Sequence, residues 1–388
     1  MSGQIKLPTT GGKIERYKMI GSQPFSLPLA PLQSRTCFSA AHVVCDPLKP
    51  GNPMSDAVLD WDATLAYRHH LWKYGLGVAE AMDTAQRGMG LTWKTARILI
   101  RRSIADAKTV DGLIACGAGT DQLDLSAELT LEGVVQAYEE QVSFVEECGG
   151  RVILMASRGL AKVAKSKDDY VNVYSKIVNQ LSQPVILHWL GEMFDPQLSN
   201  YWGANTLDDA MQICLSIICE NQSKIDGIKI SLLSADREID MRRQLPEDVK
   251  MYTGDDYNYD RLILGDDKGF SHALLGIFDA IAPVASAAIQ ALDVGDIENY
   301  HKLFSPTIPL SRYIFQTPTQ FYKTGIVFIA YLNGHQRHFK MVGGQESARS
   351  VLHFTELFRL ADIAGLFTDA EATVIRMKNF LRLAGIEQ

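Results

Sequence analysis

The chain has 388 residues, 46% of them apolar, with a formal net charge of −7 and a pI near 5.7. A chain of this length buries a large core, and its charges are spread without long runs of one sign, which argues against a groove for nucleic acid or another polyanion. No apolar stretch reaches the roughly 18 residues that a bilayer span requires, and the N-terminus lacks the basic start and apolar stretch of a signal peptide, so a cytoplasmic protein without a membrane partner is expected.

In chain order, residues 1–34 carry a Gly11-Gly12 turn between β-leaning flanks, which predicts a hairpin plugging the N-terminal end of whatever follows. Short apolar runs then predict strands at Thr36–Val44, Leu76–Met82, Gly112–Gly117, Arg151–Ala156, Pro184–Leu190, Ile225–Ser231, Val249–Thr253 and Gly269–Leu274. Between them, Asp60–Lys73, Thr92–Ala107, Thr130–Cys148, Asp168–Gln180 and Leu207–Asn221 carry apolar residues at helical spacing, with two weaker helices later. Strand-then-helix units repeated over about 240 residues match the size of a closed (β/α)8 barrel, an α/β fold with its active site at the C-terminal ends of the strands. The competing doubly wound sheet calls for a glycine-rich turn after the first strand, and Cys37-Phe-Ser-Ala-Ala-His42 has none. The domain reading is an N-terminal hairpin or arm (1–34), a barrel (35–284) and a C-terminal helical extension (285–388). The six cysteines are scattered without a Cys-x-x-Cys pair, so reduced thiols in the core are expected.

Lys229 stands out within Lys224-Ile-Asp-Gly-Ile-Lys-Ile-Ser-Leu-Leu233. A lysine between Ile228 and Ile230 on a buried parallel strand points into an interior where an unpaired ammonium is costly. Desolvation favours the neutral amine, and a neutral amine facing a cavity attacks a carbonyl to form a Schiff base. A strand-end lysine that reaches water or pairs with Asp226 or Asp255 is the structural alternative.

From about Arg35 to the C-terminus the chain resembles the dihydrodipicolinate synthase and N-acetylneuraminate lyase family, the class I (Schiff-base) aldolases on a (β/α)8 barrel, as a divergent branch. Ile225-Asp-Gly-Ile-Lys229 is similar to that family's strand-six Gly-Ile-Lys, and Met251-Tyr-Thr-Gly-Asp-Asp256 to its strand-seven Ser-Gly-Asp-Asp. Pro184-Val-Ile-Leu-His188 is similar to its Pro-x-x-Leu-Tyr, and Ala115-Cys-Gly-Ala-Gly119 to its glycine-rich end of strand three. The resemblance implies a Schiff base on Lys229, no organic cofactor, a small-molecule substrate, and a homodimer or homotetramer.

The departures bear on substrate. His188 stands where the family has a proton-relaying tyrosine, work that an imidazole can also perform; a hydrogen-bonded core histidine is the alternative. Where the family's strand two ends in Gly-Thr-Thr-Gly-Glu and holds the carboxylate of pyruvate, this chain reads Val78-Ala-Glu-Ala-Met-Asp-Thr84. Two carboxylates there, Glu80 as an acid/base and Asp83 as a hydroxyl binder, repel a ketoacid and favour a sugar- or polyol-derived ketone, unless they cap the next helix or pair with Arg87 or Arg97. Arg158, after strand four, is a candidate for an anionic substrate group. Asp255, His272 and His42 complete the expected substrate-binding set. A different reading takes His42, Glu80, His188, Asp255 and His272 as ligands of a divalent metal in a sugar isomerase, epimerase or lyase. The expected activity is thus a Schiff-base lyase or aldolase with Lys229, His188 and Glu80 in catalysis, and the metal-dependent enzyme is the alternative.

Overall fold

A computed structural model describes residues 3–22, 24–50 and 58–387 of the chain. A hairpin of β1 (Gln4–Pro8) and β2 (Ile14–Lys18) precedes eight parallel strands: β3 (Cys37–Ala40), β4 (Gly77–Glu80), β5 (Ile114–Ala118), β6 (Arg151–Leu154), β7 (Val185–Leu190), β8 (Ile225–Ser231), β9 (Lys250–Thr253) and β10 (His272–Leu275). β3 to β10 pair in sequence order, and β10 closes on β3. This is the expected (β/α)8 barrel. Both faces of each strand are buried, so the apolar runs are nearly continuous. Phe38, Ala79, Ala115, Ile153, Ile186 and Leu274 belong to one apolar cluster that fills the interior, while Val78, Cys116, Leu154, Leu187 and Ile228 pack outward under the helices.

A helical segment follows every barrel strand, the last being Ile277–Asp293, which spans the expected barrel boundary at residue 284. The helices after β8 and β9 are short, Ala235–Arg242 and Tyr259–Leu264, in keeping with their weak sequence pattern. Five further helices follow, beginning at Ile297. Two of them, Thr307–Ile314 and Tyr322–Leu332, reach the mouth of the barrel: Ser311 donates to the Asp256 carbonyl, Tyr257 donates to the Phe315 carbonyl at 3.0 Å, and Tyr322 donates to Asp83.

Two expectations are corrected here. The hairpin does not plug the barrel's N-terminal end. Ile5, Leu7 and Met19 bury themselves in the cluster that contains the C-terminal helices, and the Tyr17 hydroxyl with the Ile20 and Gly21 amides donates to Asp362. The eighth barrel strand starts later than expected, because Asp266 and Gly269 close a turn with paired backbone bonds at 2.9 and 3.2 Å, leaving His272 as the residue that opens β10.

Candidate active site

Alternation along β7 and β8 sets the centre of the site. Ile186 fills the barrel interior, so His188 two residues on also faces inward, and the register pairs it directly with Lys229 on β8. Lys229 is only 4% exposed, and among the described residues its Nζ makes no hydrogen bond or ion pair. The room for it comes from the neighbouring strand. A Cβ on Gly254 would stand 2.4 Å from Ser231 Oγ, 2.5 Å from the Ile230 carbonyl oxygen and 2.8 Å from Lys229 Cε, so the motif glycine is a steric requirement of the lysine beside it.

His188 Nε2 lies 3.3 Å from Ser231 Oγ. Burial, and then the charge of Lys229, push this imidazole well below its ordinary pKa, with Asp83 opposing. It is therefore a neutral ring at pH 7, able to accept a proton.

Asp83 reaches the same cavity by a backbone device. Glu80 ends β4, Ala81 adopts a left-handed φ of 54°, and the chain turns into a short 3₁₀ segment at Asp83–Ala85. Burial alone raises a carboxyl group, but the ammonium groups of Lys229 and Lys323, with His188 and the Tyr322 hydroxyl, hold Asp83 down at about 2. Its Oδ2 accepts from Tyr322 at 2.6 Å, and Thr84 Oγ1 meets the same hydroxyl at 2.6 Å. Its Oδ1 is buried with no partner among the described residues. Asp83, His188, Arg158, Asp195, Thr120 and Gly88 line a cavity of about 300 Å³. Arg158 Nε donates to Asp195 at 2.5 Å, which holds the guanidinium at the wall of that cavity.

The remaining expected residues lie elsewhere. Glu80 is fully buried but points away from the barrel axis, where Arg68 of the helix Trp61–Lys73 grips it through two hydrogen bonds of 2.9 Å. The strand alternates Ala79 inward and Glu80 outward, so Glu80 is a structural ion pair; its expected acid/base role and its expected pairing with Arg87 or Arg97 are both corrected. Asp255 spends its oxygens on the next turn, accepting from the Tyr257 and Asn258 amides and from Asn258 Nδ2. His272 is at the opposite end of the barrel, where Nδ1 accepts from the Thr36 amide and Lys250, Arg35 and Asp226 are its charged neighbours. His42 is held by Asp279 at 2.9 Å and packs at a tilt against the Tyr67 ring, with centroids 4.3 Å apart. His42, Glu80, His188, Asp255 and His272 therefore do not converge as a ligand set. Among the described residues no group of three or more His, Cys, Asp or Glu side chains is placed to hold a metal ion.

The structure adds Asp256, Tyr322 and Lys323. Asp256 Oδ1 accepts from the Ile277 amide at 2.8 Å; burial pushes its carboxyl up to about 8 against the opposing charge of Lys229. Of the Asp255-Asp256 pair, the second is the one on which the charge of Lys229 acts. Tyr322 and Lys323 open the helix Tyr322–Leu332, and no local motif in the tail marks them.

The family described as "Protein of unknown function (DUF993)" matches residues 5–386. The chain belongs to that family. No curated protein matches it in sequence. Among solved structures it is similar to a Pseudomonas aeruginosa protein assigned as a dihydrodipicolinate synthetase, at 16% identity and a TM-score of 0.65, covering 85% of this chain and 99% of that one. It is also similar to the dihydrodipicolinate synthases of Aquifex aeolicus (12% identity, TM-score 0.63, 86% and 98% covered) and Bacteroides thetaiotaomicron (14%, 0.63, 85% and 99%). At these identities the likeness shows a shared fold. It agrees with the resemblance carried by the strand-six and strand-seven motifs, and the DUF993 match agrees with a divergent branch.

Proposed function

We propose that the protein is a Schiff-base-forming lyase or aldolase acting on a sugar- or polyol-derived ketone. The observation that carries this reading is the amine of Lys229, buried at the mouth of the barrel without a hydrogen-bond or ion-pair partner among the described residues, beside a neutral imidazole and a carboxylate with one free oxygen. An ammonium left unpaired in such a place is costly for stability, which favours a chemical role over a structural one.

In this mechanism Lys229 Nζ adds to the substrate carbonyl while His188 takes a proton from the nitrogen and returns it to the carbinolamine oxygen, and loss of that oxygen as water leaves an iminium. Asp83 balances the iminium charge. Its free Oδ1 removes the proton from a hydroxyl on the β-carbon, the bond between the α- and β-carbons breaks, and the electron pair passes into the iminium to give an enamine and an aldehyde. Protonation of the enamine at carbon and hydrolysis then release the second product and restore Lys229. No organic cofactor enters the scheme. Asp83 replaces Glu80 as the acidic group of the mechanism.

The same carboxylate bears on substrate. A 2-ketoacid bound at Lys229 sets its own carboxylate next to the carbonyl and close to Asp83, and two like charges ~4 Å apart at an effective dielectric of ~20 repel by roughly 4 kcal/mol. Hydroxyls of a keto-sugar instead donate to Asp83. Incubating the protein with borohydride and either pyruvate or a panel of keto-sugars, then weighing the intact chain, tests this directly. A keto-sugar adduct is expected, and a dominant pyruvate adduct contradicts the substrate assignment. We further propose a cytoplasmic homodimer or homotetramer, which light scattering tests; among the described residues no helix is long and apolar enough to cross a membrane.

A further inference from the structure

Lys323 is a second buried lysine, 5% exposed, on the first turn of the helix Tyr322–Leu332. Among the described residues its Nζ has one hydrogen-bond contact, the Met89 thioether at 3.2 Å, which is a weak acceptor for an ammonium. The charges that act on it are those of Asp83, Arg158 and Asp195, and all three line the cavity beside Lys229. Arg158 approaches the same short segment. Its Nη1 lies 3.4 Å from the Gly88 carbonyl, and Gly88 itself has a φ of +69° and would bring a Cβ to 3.1 Å from Nη1. The Gly88-Met89 segment thus meets two cations, one from the barrel and one from the C-terminal extension.

The charges around this segment do not cancel. Arg87 and Asp121, which also line the cavity, pair with each other, and Asp83 and Asp195 face three cationic side chains, Lys229, Lys323 and Arg158. Asp256, with its carboxyl pushed up to about 8, holds its proton at neutral pH, and His188 is neutral. Burial lowers Lys323 to about 8, with Asp83 opposing, so the ammonium persists at pH 7. A cavity that keeps one positive charge in excess is complementary to one negative charge on its ligand.

We propose that Lys323 and Arg158 form an anion subsite that holds a phosphate or carboxylate group of the substrate remote from its carbonyl. This rests on the Schiff-base reading for the word substrate, but not for the binding of the anion. The two parts of the cavity then have separate tasks: Asp83 and His188 deal with hydroxyls and protons near Lys229, and the cation pair fixes the far end of the molecule. A terminal phosphate ester and a sugar acid present the same charge to it.

Calorimetric titration of the full chain with inorganic phosphate and with acetate tests the subsite without any imine chemistry. Saturable binding of at least one of them is expected, weakened at least about tenfold in Lys323→Met and in Arg158→Gln, and restored in Lys323→Arg. Stronger binding of phosphate assigns a phosphate ester and stronger binding of acetate assigns a sugar acid. Absence of saturable binding of both anions, or unchanged binding in folded Lys323→Met and Arg158→Gln, overturns the proposal. Borohydride trapping with dihydroxyacetone and its phosphate monoester then reads the same site in chemistry: the preference for the phosphate form falls at least about tenfold in Lys323→Met. Failure of all trapping with anion binding intact overturns the Schiff-base reading alone.

Discussion

At the scale of single residues, the chemistry depends on which side chains share the cavity. His188 faces Lys229 across one strand pair, so His188→Ala is expected to depress the steps after imine formation by roughly 10² to 10⁴ while still allowing an adduct to form. A steady-state rate equal to that of the wild type returns His188 to a packing role. Asp83→Asn keeps the bond from Tyr322 but removes the charge beside the iminium, and a loss of about 100-fold or more in turnover is expected, checked by pre-steady-state and steady-state rates on the same keto-substrate. The inward placement of Lys229 was legible in the sequence because Ile228 and Ile230 on a buried strand leave a polar residue conspicuous, and that of His188 was legible only through the resemblance of Pro184-Val-Ile-Leu-His188 to a family motif. The division between Glu80 and Asp83 was not legible. It depends on the parity of Ala79 and Glu80 and on the left-handed turn at Ala81, and neither the carboxylates nor their spacing records those.

At the scale of elements, the barrel strands and their order were readable from runs of apolar residues, as their burial on both faces requires. Their ends were less so. Hydrogen bonding to Asp279 draws His42 away from the ladder after β3, and the turn at Asp266–Gly269 moves His272 to the far end of the barrel. The hairpin was legible as a hairpin, but its docking partner, Asp362, is more than 300 residues away in the chain and leaves no local signal. Gly254 tests how the strands position the lysine. Gly254→Ala drives a methyl group into Ser231, the Ile230 carbonyl and Lys229, so a destabilisation of about 1–3 kcal/mol is expected together with a loss of borohydride trapping. Trapping at the wild-type rate in the folded variant would show that the lysine does not need that space.

For the molecule as a whole, the buried charges set stability and its dependence on pH. Arg68 and Glu80 are both fully buried and joined bidentately, so Glu80→Ala leaves a guanidinium without its partner and is expected to cost about 3–5 kcal/mol in urea unfolding. The folded fraction should still trap substrate, since Glu80 lies outside the cavity. Asp256 and Glu238 act in the opposite sense: burial pushes each carboxyl up to about 8 in the folded protein, whereas an unfolded carboxyl titrates near 4. Between those values the folded state holds protons that the unfolded state has lost, so stability falls as pH rises from about 4 to about 8, by up to about 1.4 kcal/mol per unit for each group. Asp256→Asn keeps an acceptor for the Ile277 amide and should reduce that slope; the same slope in wild type and variant would mean that Asp256 is ionised in the fold. The helical tail was legible as helix, but its place over the mouth was not, because Tyr322 and Lys323 enter the site through contacts that span more than 200 residues of sequence.

The central claim is that Lys229 is the nucleophile, and the measurement closest to it is peptide mapping by mass spectrometry after borohydride reduction with a bound keto-sugar. One reduced adduct is expected, on the peptide that carries Lys229, and none in Lys229→Ala at equal folded concentration. An adduct on Lys323 or another lysine, or one that survives in Lys229→Ala, contradicts it.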